Sequence, residues 1–212
     1  MKHVRKRKLV IALGLLAAFA LWTAAVAFVD VRPVGPLGSE VGFAGLNRWF
    51  WELTGVHWKL YELTDALSII PLGLVAGFAF LGLWQWGRRG SIRRVDGSIL
   101  ALGGFYGAVM AAFLLFEKVA VNFRPVLVEG VLEASYPSST TMLVMCVMPT
   151  AMLQLRERKI GGRWLRDLMA AFTIFMVMAR LISGVHWLTD IIGGGLLSGA
   201  LVMLYWAAVD RN

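Results

Sequence analysis

Charge is scarce in this sequence, and so are cysteine, histidine and proline. Of 212 residues only 16% are Asp, Glu, Lys or Arg, and there are one Cys, three His and six Pro. With 58% hydrophobic residues and a mean hydropathy of +0.70, so little charge excludes an ordinary soluble domain of this length. The single cysteine, Cys146, excludes an intrachain disulfide and leaves the redox compartment unreadable. There is no internal repeat, no low-complexity tract and no long polar segment, so residues 1–212 read as one domain without a soluble appendage. The acidic residues show no ligand-like clustering, so neither a metal nor another cofactor is expected.

What the sequence has in abundance is apolar runs of membrane-spanning length. Six are expected to cross a bilayer, namely Leu9–Val29, Ala66–Trp86, Ile99–Val121, Ser139–Leu155, Leu165–Ile182 and Asp190–Val209. The expected fold class is therefore all-α, a polytopic membrane protein of six transmembrane helices. "AVA" at 25–27 is similar to a signal-peptidase site, but the apolar run before it is longer than a signal h-region, so an uncleaved anchor is expected. Between the first two spans, the turn-rich "VRPVGPLGSE" leads into "VGFAGLNRWFWELTGVHWKLYELTD", where aromatic and charged residues alternate at helical spacing. This stretch is expected to be an interfacial helical segment, with Trp49, Trp51 and Trp58 at headgroup level and Trp84, Trp86, Trp164 and Trp206 as the opposite belt.

The net charge of +8 invites a nucleic-acid reading, but its placement argues against one. Fifteen of the 21 Lys and Arg residues fall in "KHVRKRK", "GRRGSIRRVDG", "RERKIGGRWLR" and at Arg211, all on one side of a six-span topology. The other side holds Arg32, Arg48, Lys59, Lys118, Arg124 and Arg180 with nine of the thirteen acids. Positive residues mark the cytoplasm, so both termini are expected inside, and the basic charge serves topology and attraction to anionic membrane lipid.

Four polar oddities then gather at the outer face. Lys118 and Arg124 stand at the end of the third span, and "YPSSTTMLVMC" puts Ser138, Ser139, Thr140 and Thr141 at the start of the fourth. Arg180 closes the fifth, and His186 with Asp190 leads into the sixth. Taken singly, each has an ordinary explanation: snorkelling for Lys118 and Arg180, a post-helix turn at Arg124-Pro125, helix caps for the hydroxyls and packing for His186. Their coincidence at one face points to a site. His186 and Asp190, four apart, are expected to share a helix face, with Asp190 holding one imidazole nitrogen protonated and leaving the other as nucleophile. Arg124, Arg180 and Lys118 suit a phosphoryl group, and the amides at 138–140 stand at a helix N-terminus, which favours anions.

"KVAVNFRP", "YPSST" and "ARLISGVHWLTD" resemble, in order and spacing, the three signature motifs of the type-2 phosphatidic acid phosphatase superfamily. The resemblance extends over about residues 66 to 209 and is strongest in the third motif, where Ala179 stands for the usual leading Ser. It implies a phosphohistidine formed on His186, with Asp190 orienting it, and phosphate contacts from Lys118, Arg124, Ser138 and Arg180. Two departures stand out. Five residues, rather than the family's six, separate Lys118 from Arg124-Pro125, a difference of about 100° of helix that a long lysine is expected to absorb. In the second motif, Ser139 replaces the usual Gly, and Thr140 the histidine that serves as general acid.

A threonine cannot protonate an alkoxide at neutral pH, so roughly 10²–10⁴ in rate is at stake for a monoester. A diphosphate needs less help, because its leaving phosphate has a second pKa of about 6. His57, on the outer side with His186, is a conceivable substitute acid but reads more readily as an interfacial residue beside Trp58. The expected function is a metal-independent membrane phosphatase acting on a lipid diphosphate or lipid phosphate monoester at the extracytoplasmic face. A chain this minimal, without eukaryotic retention signals, is expected in a bacterial inner membrane. Two rivals are a non-catalytic relative that binds phospholipid headgroups and a structural subunit whose polar residues only fix helix packing, for which "IIGGG" at 191–195 would be a close contact.

Overall fold

Apolar runs without internal breakers become helices, because in an apolar solvent each backbone N–H and C=O must find its partner within the segment. The computed structural model describes residues 2–209; Arg211, counted above with the basic side, lies outside the described residues. The α-helices are, in order, α1 (Lys2–Phe28), α2 (Ala44–Thr54), α3 (Trp58–Leu67), α4 (Ile69–Arg89), α5 (Gly97–Lys118), α6 (Ser139–Glu157), α7 (Arg163–Ile182) and α8 (Leu188–Val209). No strand occurs among the described residues; isolated antiparallel bridges such as Phe123–Ala134 tie the loops.

The long helices α1, α4, α5, α6, α7 and α8 coincide closely with the six runs expected from the sequence. Four segments are long and apolar enough to cross a membrane: His3–Phe28, Trp58–Arg89, Gly97–Lys118 and Leu188–Val209. The helices α6 and α7 have similar length but more polar content, from Thr140, Thr141, Thr150 and Gln154 in one and Arg163, Arg166, Asp167 and Arg180 in the other. Those α6 polar side chains face inward, since this helix is the buried centre of the bundle, with Val144, Cys146 and Ala151 at 0% exposure.

The last helix, α8, packs on α1, α6 and α5, and α6 packs on α7. Apolar burial does not hold helices together in lipid, so close approach and polar pairs must contribute. Gly193 lies against the Tyr136 ring, where a Cβ would stand 2.5 Å from the nearest ring carbon, and a Cβ on Gly194 would touch the Ser138 carbonyl at 3.2 Å. "IIGGG" is thus a close contact, made to the α5–α6 loop and the start of α6. Tyr106 Oη and Thr150 Oγ1 pair at 3.2 Å, and Gln154 Nε2 donates to Tyr205 Oη at 2.6 Å.

Trp49 and Trp58 are exposed, as headgroup-level anchors should be. Trp51 turns inward instead, and its indole N–H donates to the Gly184 carbonyl at 3.0 Å. It fastens α2 to the α7–α8 turn, where Gly184 has φ +69° and a Cβ would fall 2.0 Å from the Gly55 carbonyl oxygen. The ends of α5 and α7 and the starts of α6 and α8 therefore meet at one end of the bundle, roofed by the segment between α1 and α4.

Candidate active site

The start of α8 organises the site. Trp187 precedes the first helical residue, and Asp190, in the first turn, reaches back so that its Oδ2 accepts the Trp187 N–H at 2.9 Å. This is the side-chain half of a capping box, and it aims the carboxylate at the residue just before the cap. That residue is His186, whose Nδ1 lies 3.6 Å from Asp190 Oδ2, with His186 3% and Asp190 0% exposed. The pairing expected from the four-residue spacing thus arises from cap geometry, since His186 precedes the helix. At 3.6 Å it is a close approach rather than a formed hydrogen bond.

The other imidazole nitrogen, Nε2, faces Arg124 Nη1 at 3.4 Å. Arg124 is held from behind by Glu133, through its main-chain N–H to the Glu133 carbonyl at 3.0 Å and its Nε to Glu133 Oε2 at 2.9 Å. Burial, reinforced by the positive charges of Arg124 and Arg180, holds the His186 imidazole well below its ordinary pKa. At neutral pH the ring is uncharged and keeps a lone pair, as a nucleophile requires.

Ser138 is the N-cap of α6, and its Oγ accepts from the Thr141 N–H at 3.4 Å and from the Thr141 hydroxyl at 3.1 Å. Its own amide is not open to an anion, because it donates to the Asp190 carbonyl at 3.1 Å. Ser138 therefore joins α6 to α8, and the amides of Ser139 and Thr140, at the helix start, are the ones without an intrahelical acceptor. The Thr140 hydroxyl accepts from Arg180 Nη2 at 2.6 Å. Arg180 is 2% exposed and further engaged by Thr64 Oγ1 at 3.0 Å and Asp65 at 3.6 Å, with its guanidinium 4.5 Å from the Tyr61 ring centroid. Its buried Nε–H has no acceptor.

A cavity of about 190 Å3 opens against Arg124, Ser139 and His186, and its remaining wall includes Phe113, Glu117 and Glu133. Lys118 is exposed and does not line it. The one-residue difference in the first motif is therefore not absorbed by a bending lysine: the position with six residues before Arg124-Pro125 is Glu117, and that carboxylate meets the cavity. Arg180, Thr140 and Ser138 stand behind the wall, and Asp190 stands behind His186. His57 is exposed, with Nε2 2.8 Å from the Thr54 carbonyl oxygen, and does not line the cavity. Among the described residues no group of three or more His, Cys, Asp or Glu side chains is arranged to hold a metal ion.

An apolar groove of about 320 Å3 adjoins the cavity, sharing Phe113, Ser139 and Met142 with it, and Thr140 lies on its wall. It continues between α4 and α5 into a second apolar groove of about 530 Å3 through the shared residues Val75 and Tyr106. Sequence reasoning did not find Glu117, Glu133, Asn47 or Asn122. Asn47 and Asn122 are 0% exposed, and the one signal that marked them was the presence of an amide side chain beside apolar runs.

No curated protein matches the chain. It is similar in structure to the first transmembrane PAP2 type phosphatidylglycerolphosphate phosphatase from Bacillus subtilis, with a TM-score of 0.61 and 17% identity, over 92% of this chain and 93% of that one. At that identity the likeness concerns the fold, a transmembrane helical one. A family model described as the PAP2 superfamily matches residues 104–212, from within α5 through the cavity-lining loop, α6, α7 and α8. That match covers more than half of the sequence and every residue that lines the cavity in front of His186, and by it the chain belongs to the PAP2 superfamily.

Proposed function

We propose that the protein is an integral membrane phosphatase that removes phosphate from a lipid diphosphate or lipid phosphate monoester through a phosphohistidine on His186. The observation that carries this reading is the setting of His186, with its Nδ1 against Asp190, its Nε2 beside Arg124 and a phosphate-sized cavity in front. Nε2 attacks the terminal phosphorus and the P–O bond to the leaving oxygen breaks, while Arg124 with the Ser139 and Thr140 amides holds the negative phosphoryl oxygens. A diphosphate releases a lipid monophosphate anion, and a monoester releases an alcohol that takes its proton from solvent water. Asp190 stabilises the imidazole as it becomes positive, and water then hydrolyses the phosphohistidine. The adjoining grooves between α4 and α5 suit an acyl or prenyl chain lying among membrane lipids.

The whole chain acts as one domain of six spans in this reading. The basic termini and inner loops lie in the cytoplasm and the cavity lies at the extracytoplasmic face, as expected of a bacterial inner membrane protein. One feature of the site favours a substrate with a good leaving group: Thr140 holds Arg180 where a general-acid histidine would stand. Glu117, in the register of the first-motif lysine, lines the cavity and weakens its hold on an anion. A headgroup-binding relative without turnover would need the arginine and the amides but no neutral, oriented imidazole.

Phosphate release from a panel of lipid monophosphates and diphosphates by purified protein in detergent tests the reading. Turnover is expected, faster on diphosphates and unchanged by EDTA. Absence of release from every substrate contradicts the phosphatase reading, and strong inhibition by EDTA contradicts metal independence.

A further inference from the structure

We propose that Asn122, locked in place by the outer segment between α1 and α3, is a positioning residue for the Asp190 carboxylate and so for His186; its catalytic consequence rests on the phosphatase reading above. A carboxylate at 0% exposure needs donors on both oxygens to stay in place. Oδ2 has the Trp187 N–H and faces His186, and Oδ1 has Asn122 Nδ2 at 3.3 Å. The Asn122 donor, together with the Ser135 hydroxyl that also lies against the carboxylate, keeps it from rotating its Oδ2 away from the ring.

An asparagine can present either a donor or an acceptor, and what decides here is the outer segment. The Gly42 N–H donates to Asn122 Oδ1 at 3.1 Å, which turns the NH2 end toward Asp190 and toward Thr189 Oγ1 at 3.4 Å. Gly42 comes this close because it is glycine: a Cβ there would sit 1.6 Å from the Val26 carbonyl oxygen at the end of α1. Asn47 of α2 fixes the same peptide and the same helix start. Its Nδ2 donates to the Gly42 carbonyl at 2.7 Å and to Thr189 Oγ1 at 2.9 Å, and its Oδ1 accepts the Thr189 N–H at 3.2 Å. Trp22 of α1 adds a bond to the Thr189 carbonyl at 3.1 Å. Gly42, Asn47 and Trp22 all precede residue 104, where the family match begins. The stretch that reads from sequence as a headgroup-level anchor thus reaches the buried carboxylate through two asparagines. The charged or titratable groups facing that carboxylate are His186 from the α7–α8 turn and Arg124 and Tyr136 from the α5–α6 loop.

The test uses the full chain in detergent, carrying Asn122→Ala, Asn122→Asp or Asn47→Ala, with three readouts: kcat and KM on a lipid phosphate, unfolding temperature, and the His186 tautomer by nitrogen NMR of [15N]histidine-labelled protein. Asn122→Ala is expected to lower kcat by about tenfold or more with KM within about twofold, since misplacing a reacting group costs rate rather than binding. Asn122→Asp keeps the shape and the acceptor for Gly42 but sets a second carboxylate against Asp190. It is expected to be slower than Asn122→Ala at pH 7 and to regain activity on acidification, when the new carboxyl carries a proton to donate. A residue that only fills space predicts the reverse order and no acid recovery, and that result overturns the proposal. Asn47→Ala, one step removed, is expected to lower kcat less. The NMR readout does not depend on turnover: His186 is expected to carry its proton on Nδ1 in the wild type and to lose that preference in Asn122→Ala. An inert wild type contradicts the phosphatase reading alone, and an unchanged tautomer in Asn122→Ala contradicts the positioning role alone.

Discussion

Arg180 and Thr140 are joined by a 2.6 Å hydrogen bond from Nη2 to the hydroxyl, behind the wall of the cavity that His186 faces. The resemblance of "YPSST" to the second signature motif gives position 140 to a proton-donating imidazole, whereas here the side chain accepts from a buried guanidinium. Leaving-group quality should therefore govern the rate. Thr140→His is expected to raise monoester turnover by about 10²-fold and diphosphate turnover much less, with a stability cost of about 1–3 kcal/mol for the larger ring at a buried position. His57→Ala is expected to change neither rate. Equal native rates on both lipids, unaffected by Thr140→His, would remove the leaving-group account.

Glu117 and Lys118 should differ sharply under mutation. Glu117 meets the cavity and Lys118 is exposed beyond it. Glu117→Lys reverses the charge beside the phosphate and is expected to lower KM about tenfold, while Lys118→Ala leaves both constants within about twofold. A large KM increase in Lys118→Ala would return that lysine to the phosphate.

The depressed pKa of His186 has a consequence for stability. The unfolded chain takes up a proton near pH 6.5, the ordinary value, while the folded chain resists protonation until well below it. Stability is therefore complete above about pH 6.5 and falls as the pH drops toward the folded value. Unfolding temperatures in detergent at pH 7.5, 6 and 5 should decline, and His186→Gln should flatten the decline. An equal slope in the variant would show that other groups are responsible.

Gly193 and Gly184 should tolerate no side chain. Gly193→Ala drives a methyl into the Tyr136 ring, and Gly184→Ala combines a positive φ with a 2.0 Å approach to the Gly55 carbonyl oxygen. Each is expected to cost about 1–3 kcal/mol, with Gly184→Ala the worse because backbone cannot yield as a ring can. Gly14→Ala, in α1 with open space around it, serves as the control and should leave the unfolding temperature unchanged or slightly raised.

These contrasts show where sequence reasoning reaches and where it stops. Helix positions were legible to within a few residues for α4 to α8, because long apolar runs and their polar flanks report the solvent directly. Only α1 begins seven residues before its expected span, since helix continues through the basic "KHVRKRK". Arg124, His186 and Asp190 were legible because each departs from its apolar neighbours and they recur at motif spacing. What could not be read was direction. One residue turns a helix by about 100°, and that is enough to put Glu117 on the cavity and Lys118 outside it. Partners distant in sequence were also hidden: the Ser138 amide is taken by the Asp190 carbonyl, Trp51 by Gly184, and Asn122 by Gly42, each across at least 50 residues of chain. Such bonds depend on which loops meet, and no local pattern records that.

The central claim is a covalent bond between His186 Nε2 and phosphorus. Purified protein mixed with a lipid substrate carrying labelled terminal phosphate and quenched in alkaline denaturant should retain label that is stable to base and released by acid, as a phosphoramidate is. The label should map to His186 and be absent in a folded His186→Ala variant. Phosphate release at the wild-type rate from that variant, or label on any other residue, would contradict the account.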